Sequence, residues 1–365
     1  MLSSTLLVHL LGLFALTTNA LASSPLVLVY YATAGYYHDS IPTGLRVLGE
    51  QGPLYGISFD FTEDKTQFRP EILTKYDAVL FFDNTDQVLD ETGEAALKAY
   101  FEEGGNFVGI HAASSCEWDD RRFSLAIGAL FDYHPTLQNV TYVNLDSNFP
   151  ATKYLPTKFR YEEEAYHFQS DPRENGAVVV LALDPDSFYN DGTSSGNYSG
   201  GGHPLPAAWY NESPLSAKPL AQGAPVSGRS FYTALGHSNR TWESPWYQGH
   251  VMEGIKWVLD GNSTLAYGVG LVGNPIGTAT ASSSGASVSS TQFSARDAGA
   301  LVATSSTSAS TGTNTDTSTS TGTSYSSAAT SSSAAMGKSA VLGGAGAGII
   351  GTVLAGIVAG VGLAW

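Results

Sequence analysis

The rhythm of apolar and polar positions changes midway along the chain. In the first half, short continuous apolar runs alternate with stretches of helical spacing. LVLVYYAT, Leu26 to Thr33, has the unbroken apolar character of a central parallel strand covered on both faces. A helix is predicted from Ser40-Ile41-Pro42, with Ser40 as its cap and Pro42 tolerated in the first turn. GISFDFT reads as the next strand, and RPEILTKYDAVLFFD as a short helix followed by a strand over Ala78 to Phe82. DETGEAALKAYFEEGG places Ala95, Leu97, Tyr100 and Phe101 at helical spacing, with Gly104-Gly105 as the stop. NFVGIH is then a fourth strand. This alternation predicts an α/β fold, an open and mostly parallel sheet with helices on both faces.

From Leu137 the pattern turns β-rich within the same domain. TYVNL, KFRYEEEAYHF, AVVVLAL, AAWY and RSFYTAL read as strands separated by Gly, Asn and Pro turns. WESPWYQGHVMEGIKWVLD reads as a last amphipathic helix, with Met252, Ile255, Val258 and Leu259 on one face. If KFRYEEEAYHF is one strand, Glu162, Glu164 and Tyr166 share a face, and Glu163 and His167 take the other.

Composition divides the 365 residues into four parts. Residues 1–22 carry an apolar core and an Ala20-Leu21-Ala22 site, the pattern of a secretory leader. Residues 23–267 hold the folded domain, and 268–335 a Ser/Thr-rich stalk too polar to bury a core, expected to be disordered and O-glycosylated. Residues 336–365 form a Gly/Ala-rich apolar tail that fits a GPI-attachment signal with its ω site near Ser331 to Ala335; a plain transmembrane anchor is the competing reading. Asn139, Asn197, Asn211, Asn239 and Asn262 open N-glycosylation sequons, as suits a cell-surface protein. The net charge of −16 argues against nucleic acid and anionic lipid as partners, and leaves a neutral sugar open. Membrane contact is then expected through the anchor alone. A single cysteine, Cys116, excludes an internal disulfide.

Ligands of open α/β sheets sit beyond the carboxyl ends of the strands. His38 with Asp39, His111, His134, the Glu162-Glu163-Glu164 run with His167, His203 and His237 all fall near predicted strand ends; among the histidines after the leader only His250 does not. Such a set can bind a divalent metal, with His38, His111, His237 and Glu164 as candidate ligands, or can supply a general acid and base. Each histidine also has a structural reading as a hydrogen-bonded strand end, and the Glu run as a solvated edge. Tyr36, Tyr37, Trp118, Tyr133, Tyr166 and Trp209 near the same loops suit sugar rings. Cys116 is flanked by Glu117, Asp119 and Asp120, which oppose thiolate formation, so a nucleophilic role is not expected.

AGYYHDSIPTGLRVL, GGNFVGIHAASSCEWD, LFDYHP, YEEEAYHF, GHPLPAAWY and GRSFYTALGHSNRTWESPWYQGHVMEGIKWVL resemble, in order, the blocks of the ThuA-like trehalose-utilisation family. The resemblance covers Leu26 to Leu259 and implies a flavodoxin-like sheet, similar to class I glutamine amidotransferases. In those enzymes a G-x-C-x-G elbow carries the nucleophile. The same elbow here is Gly109-Ile110-His111-Ala112-Ala113, so His111 replaces the thiol and amide cleavage is not implied. The family's acidic pair appears as Glu163-Glu164-Ala165-Tyr166, with Ala165 in place of an aromatic, and the loop Asn190 to Gly202 is enlarged. The family acts in sugar metabolism, on keto-sugars or related compounds. On this basis Glu164 is expected as base and His111 as acid or oxyanion partner. His38 and His237 would orient substrate or bind metal; Asp39, Ser114, Trp118, His134, Glu163, Tyr166 and His203 would contact substrate. A glycan-binding protein without turnover is the alternative.

Overall fold

Alternate residues of the first apolar run enter opposite cores. Val27 and Val29 belong to one cluster, Leu28 and Tyr30 to another, and all four are inaccessible to solvent. Ala78, Leu80 and Phe82 repeat the first choice, Val79 and Phe81 the second. A strand with apolar side chains on both faces must lie inside a sheet covered on both sides.

The computed structural model describes residues 24–198 and 200–275. In chain order its elements are β1 (Leu26–Tyr30), α1 (Ile41–Tyr55), β2 (Ser58–Thr62), α2 (Pro70–Leu73), β3 (Ala78–Phe82), β4 (Thr85–Asp86), α3 (Glu91–Glu102), β5 (Asn106–Ile110), β6 (Ser115–Cys116), α4 (Arg121–Ile127), β7 (Phe131–Tyr133), β8 (Gln138–Asn144), β9 (Lys158–Glu163), β10 (His167–Phe168), β11 (Val178–Leu183), β12 (Leu205–Asn211), β13 (Ser230–Thr233), α5 (Asn239–Trp242) and α6 (Pro245–Leu259). A nine-stranded sheet runs β2-β1-β3-β5-β13-β12-β11-β8-β9. From β2 to β13 every neighbour is parallel. From β13 onward every pairing is antiparallel. Only β12 and β8 therefore run against the rest. The parallel part has the flavodoxin-like order, with its switch point between β1 and β3. Helices α1 and α6 pack on one face; α3 and α4 pack on the other.

Three local expectations change. KFRYEEEAYHF is not one strand: β9 stops at Glu163, and β10 pairs with β7 in a separate ribbon. Tyr166 N–H donates to Glu164 O across the bend at 3.1 Å. Glu162 is therefore exposed, while Glu163 and Glu164 both turn inward and share no alternating face. Ser40 stands at the start of α1 but makes no side-chain cap; its hydroxyl donates to Asp83 Oδ2 at 3.1 Å instead. Finally, packing continues past Tyr267. Val272 is fully buried, and its carbonyl accepts from Leu265 N–H at 2.8 Å.

The expected leader and anchor tail, and the stalk from residue 276, lie outside the described residues. No helix among the described residues is long and apolar enough to cross a membrane. Asn139, Asn197, Asn239 and Asn262 are exposed. Asn211 is buried and its amide donates to Asn175 O at 2.9 Å, so a glycan there would break native packing.

Candidate active site

The turn after β5 sets the site. Ile110 ends the strand with extended backbone, and His111 enters a left-handed conformation at φ 51°. A non-glycine residue there costs about 1–2 kcal/mol and persists only when its surroundings hold it. They do: His111 O accepts from Tyr232 Oη at 2.8 Å, and His111 Nδ1 lies 2.7 Å from Ala234 O. A carbonyl can only accept, so Nδ1 carries a proton and Nε2 faces the site. Gly236 completes the fit. It adopts φ 134°, and a Cβ on it would come within 2.6 Å of Tyr247 Oη and 3.3 Å of His111 Cβ.

Glu164 is the hub. Its Oε2 lies 3.4 Å from His111 Nε2 and 3.3 Å from His237 Nδ1, while Oε1 lies 3.4 Å from His134 Nε2. His38 closes the group edge-on, with ring centroids 4.8 Å from His111 and 5.4 Å from His237. Tyr166 stacks on His111 and approaches its Nε2 through Oη at 3.1 Å. Residues after β1, β5, β9 and β13 thus meet at one sheet edge. Glu164 is 8 % exposed, His237 21 % and His134 35 %, so the approach from solvent lies on the side of the last two.

The charges follow from this packing. Burial favours the neutral forms of both partners, but mutual contact wins. His111 is raised to about 9 because the Glu164 carboxylate, then Asp83 and Glu163, outweigh desolvation. Burial likewise opposes the charge on Glu164, yet His111 and His237 hold it well below the usual carboxylate range. Burial, then the neighbouring His111 and His237, push His38 far down and keep it neutral. His38 Nδ1 and His237 Nδ1 are buried and make no hydrogen bond.

Of the residues expected at substrate, His134 and Tyr166 join the cluster. Glu163 turns away from the cluster's exposed side. It is fully buried, with Oε1 accepting from Thr241 Oγ1 at 2.6 Å and Gly236 N at 3.2 Å, so it anchors the loop that carries His237. Ser114 is equally buried, 2.8 Å from Tyr232 Oη. Asp39 and His203 are exposed, and no hydrogen bond or ion pair joins either to the cluster among the described residues. Trp118 is half-buried, and its indole N–H donates to Asp86 Oδ1 at 3.4 Å. His167 stacks on Tyr133 and bonds Ala165 O at 3.0 Å. Cys116 is fully buried with its thiol on Ala113 O at 3.3 Å, and burial with Glu117 and Asp86 pushes its pKa well up, against a nucleophilic role.

Asp83 was missed. It follows β3 in FFDN, is inaccessible to solvent, and sits at φ 53°. Burial raises its carboxyl to about 7, against the pull of His111, Ser40 and the Ala112 amide. Its Oδ1 makes no hydrogen bond. Its sequence signal is a carboxylate directly after an apolar strand, in FFDN.

Among known families, the one described as ThuA, trehalose utilisation, matches residues 26–258. No curated protein matches the chain. Among solved structures, a ThuA-like protein of Bacteroides uniformis is similar at 20 % identity, with 66 % of this chain and 93 % of that chain covered and a TM-score of 0.49. A ThuA-like protein of Parabacteroides merdae is similar at 17 % identity over 68 % of this chain and 98 % of its own, with a TM-score of 0.47.

Proposed function

The chain belongs to the trehalose-utilisation (ThuA) family, and on that premise we propose that it acts on a carbohydrate by acid/base chemistry at Glu164, as a secreted protein held at the cell surface. One observation carries the reading: a nearly buried carboxylate touches three imidazoles, two of them open to solvent. Glu164 takes a proton from a sugar hydroxyl or from a carbon beside a keto group. His111, whose protonated form Glu164 favours, returns a proton to the substrate oxygen. The carboxylate and the imidazolium are the charged forms that their mutual contact favours. Tyr36 and Tyr37 support a sugar as the ligand. Both are exposed, and the Tyr36 ring stands 4.7 Å from His38, where it offers a face for a pyranose to lie on. The leader, the exposed sequons, the Ser/Thr-rich stalk and the apolar tail support the location.

The test is incubation of the purified protein with trehalose, other disaccharides and their 3-keto derivatives, with products separated by chromatography. Product is expected from the wild type, and none from His111→Ala at unchanged circular dichroism. Full activity in that variant overturns the assignment. Binding without product in the wild type favours a glycan-binding protein.

A further inference from the structure

The same cluster has the donor set and the spacing of a metal centre. His38, His111, His237 and Glu164 each offer one ligand atom, and these atoms lie within 4.8 Å of one another. Four ligands at about 2.0–2.1 Å around a tetrahedral zinc ion stand about 3.3–3.4 Å apart along each edge. Glu164 Oε2 already lies 3.4 Å from His111 Nε2 and 3.3 Å from His237 Nδ1. Only the wider pairs of the set must close, from at most 4.8 Å and so by up to about 1.5 Å, for every ligand to reach one ion.

The hydrogen bonds point the same way. A metal-binding imidazole gives its other N–H to a carbonyl or carboxylate, which fixes the ring and leaves a lone pair facing the ion. His111 does this through Nδ1 and Ala234 O. His38 Nδ1 and His237 Nδ1, the latter beside Oε2, are buried without any hydrogen-bond partner. Buried ring nitrogens left unbonded cost free energy unless a ligand meets them. Asp83 contributes an unbonded Oδ1, and with Glu163 it adds buried acidic groups around the three imidazoles. His134 stands apart, because it meets the other oxygen of Glu164.

We infer that His38, His111, His237 and Glu164 bind one divalent transition-metal ion of the zinc class. Three nitrogen donors and one oxygen select against magnesium and calcium, which require oxygen. The inference rests on the reading of this cluster as the functional site. With the ion held, His111 Nε2 and Glu164 Oε2 would serve as ligands in place of acid and base; the ion would polarise a substrate oxygen, and His134, on the other oxygen of Glu164, would move protons.

The experiment is elemental analysis of the full chain purified without chelator, followed by zinc titration calorimetry after chelation and dialysis. About one equivalent of zinc per chain is expected, and cobalt(II) should give the intense visible absorption of a four-coordinate site. Loss of an outer partner alone weakens metal sites about 10–100-fold, so loss of a ligand in Glu164→Gln or His237→Gln should weaken binding by at least about 100-fold. His203→Gln, away from the cluster, should bind as the wild type does. If Glu164→Gln does not fold by circular dichroism, His237→Gln on its partly exposed loop carries the test. Absence of saturable binding by the wild type overturns the inference, as does unchanged affinity in both folded ligand variants. Sugar turnover by zinc-free protein leaves acid/base chemistry standing and removes the metal. Tight zinc binding without turnover does the reverse.

Discussion

The strand β3 has an aspartate at each end, both inaccessible to solvent, and the two differ in what surrounds them. At the start, Asp77 accepts from Leu26 N at 2.8 Å, Asn274 N at 3.2 Å and the Thr264 hydroxyl. Both of its oxygens are used, and they pin the first and last packed segments to the sheet. At the end, Asp83 accepts from Ser40 through Oδ2, while Oδ1 makes no hydrogen bond. Burial raises both carboxyls, so neither burial nor charge separates them. Completion of the hydrogen bonds does. The end of the sheet with unfinished donors and acceptors is the end where the histidines and Glu164 gather.

The largest expected effect comes from exchanging damage between these ends. Glu164→Gln keeps the shape but loses the base, and turnover should fall about 10²–10⁴-fold at unchanged circular dichroism. Asp77→Ala strands three donors, and urea unfolding should show a loss of about 3 kcal/mol with turnover per folded molecule unchanged. Loss of turnover in the folded Asp77 variant would break the comparison.

A second contrast, between two fully buried histidines, gives the next effect. His250 bonds Ala151 O at 2.8 Å and Thr233 Oγ1 at 3.1 Å, with no carboxylate beside it, and burial lowers it to about 4. Below pH 6.5 the unfolded chain takes up this proton before the folded one does. The contribution is therefore complete above pH 6.5 and is lost as pH falls toward 4, by about 3 kcal/mol in all. Denaturant melts across this range should show a flatter pH dependence for His250→Gln than for the wild type. Equal slopes would refute the assignment.

The smallest effect is expected at Cys116. It lies five residues past His111 yet is buried in the core with its thiol on the Ala113 carbonyl. Cys116→Ser should change stability by about 1 kcal/mol and leave turnover alone, and thiol reagents should not label the native protein. Inactivation by alkylation of folded protein would reopen the nucleophile.

Much of the fold was legible because burial on both faces leaves a local mark. The apolar runs at Leu26 and Ala78, the helical spacing before Gly104 and the last helix each stand where periodicity places them. His38, His111, Glu164 and His237 were legible as strand-end polar residues, and they do meet. The triple glutamate was misread, since alternation holds only while a strand continues, and β9 ends inside the run. Sequence cannot tell an open polar group from one whose partner is distant, and Ser114 and Glu163 are of the second kind. Tyr232 lies 118 residues from Ser114, and Thr241 lies 78 from Glu163.

Sequence alone determined the α/β class, the strands and helices, and the polar character of one sheet edge, because each depends on neighbours within a few residues. Only the tertiary structure decided which polar groups are spent and which are left over. Hydrogen bonds between Asp77 and Asn274, or the missing one at His38 Nδ1, depend on chain segments brought together from opposite ends of the domain. That difference separates a clamp from a site.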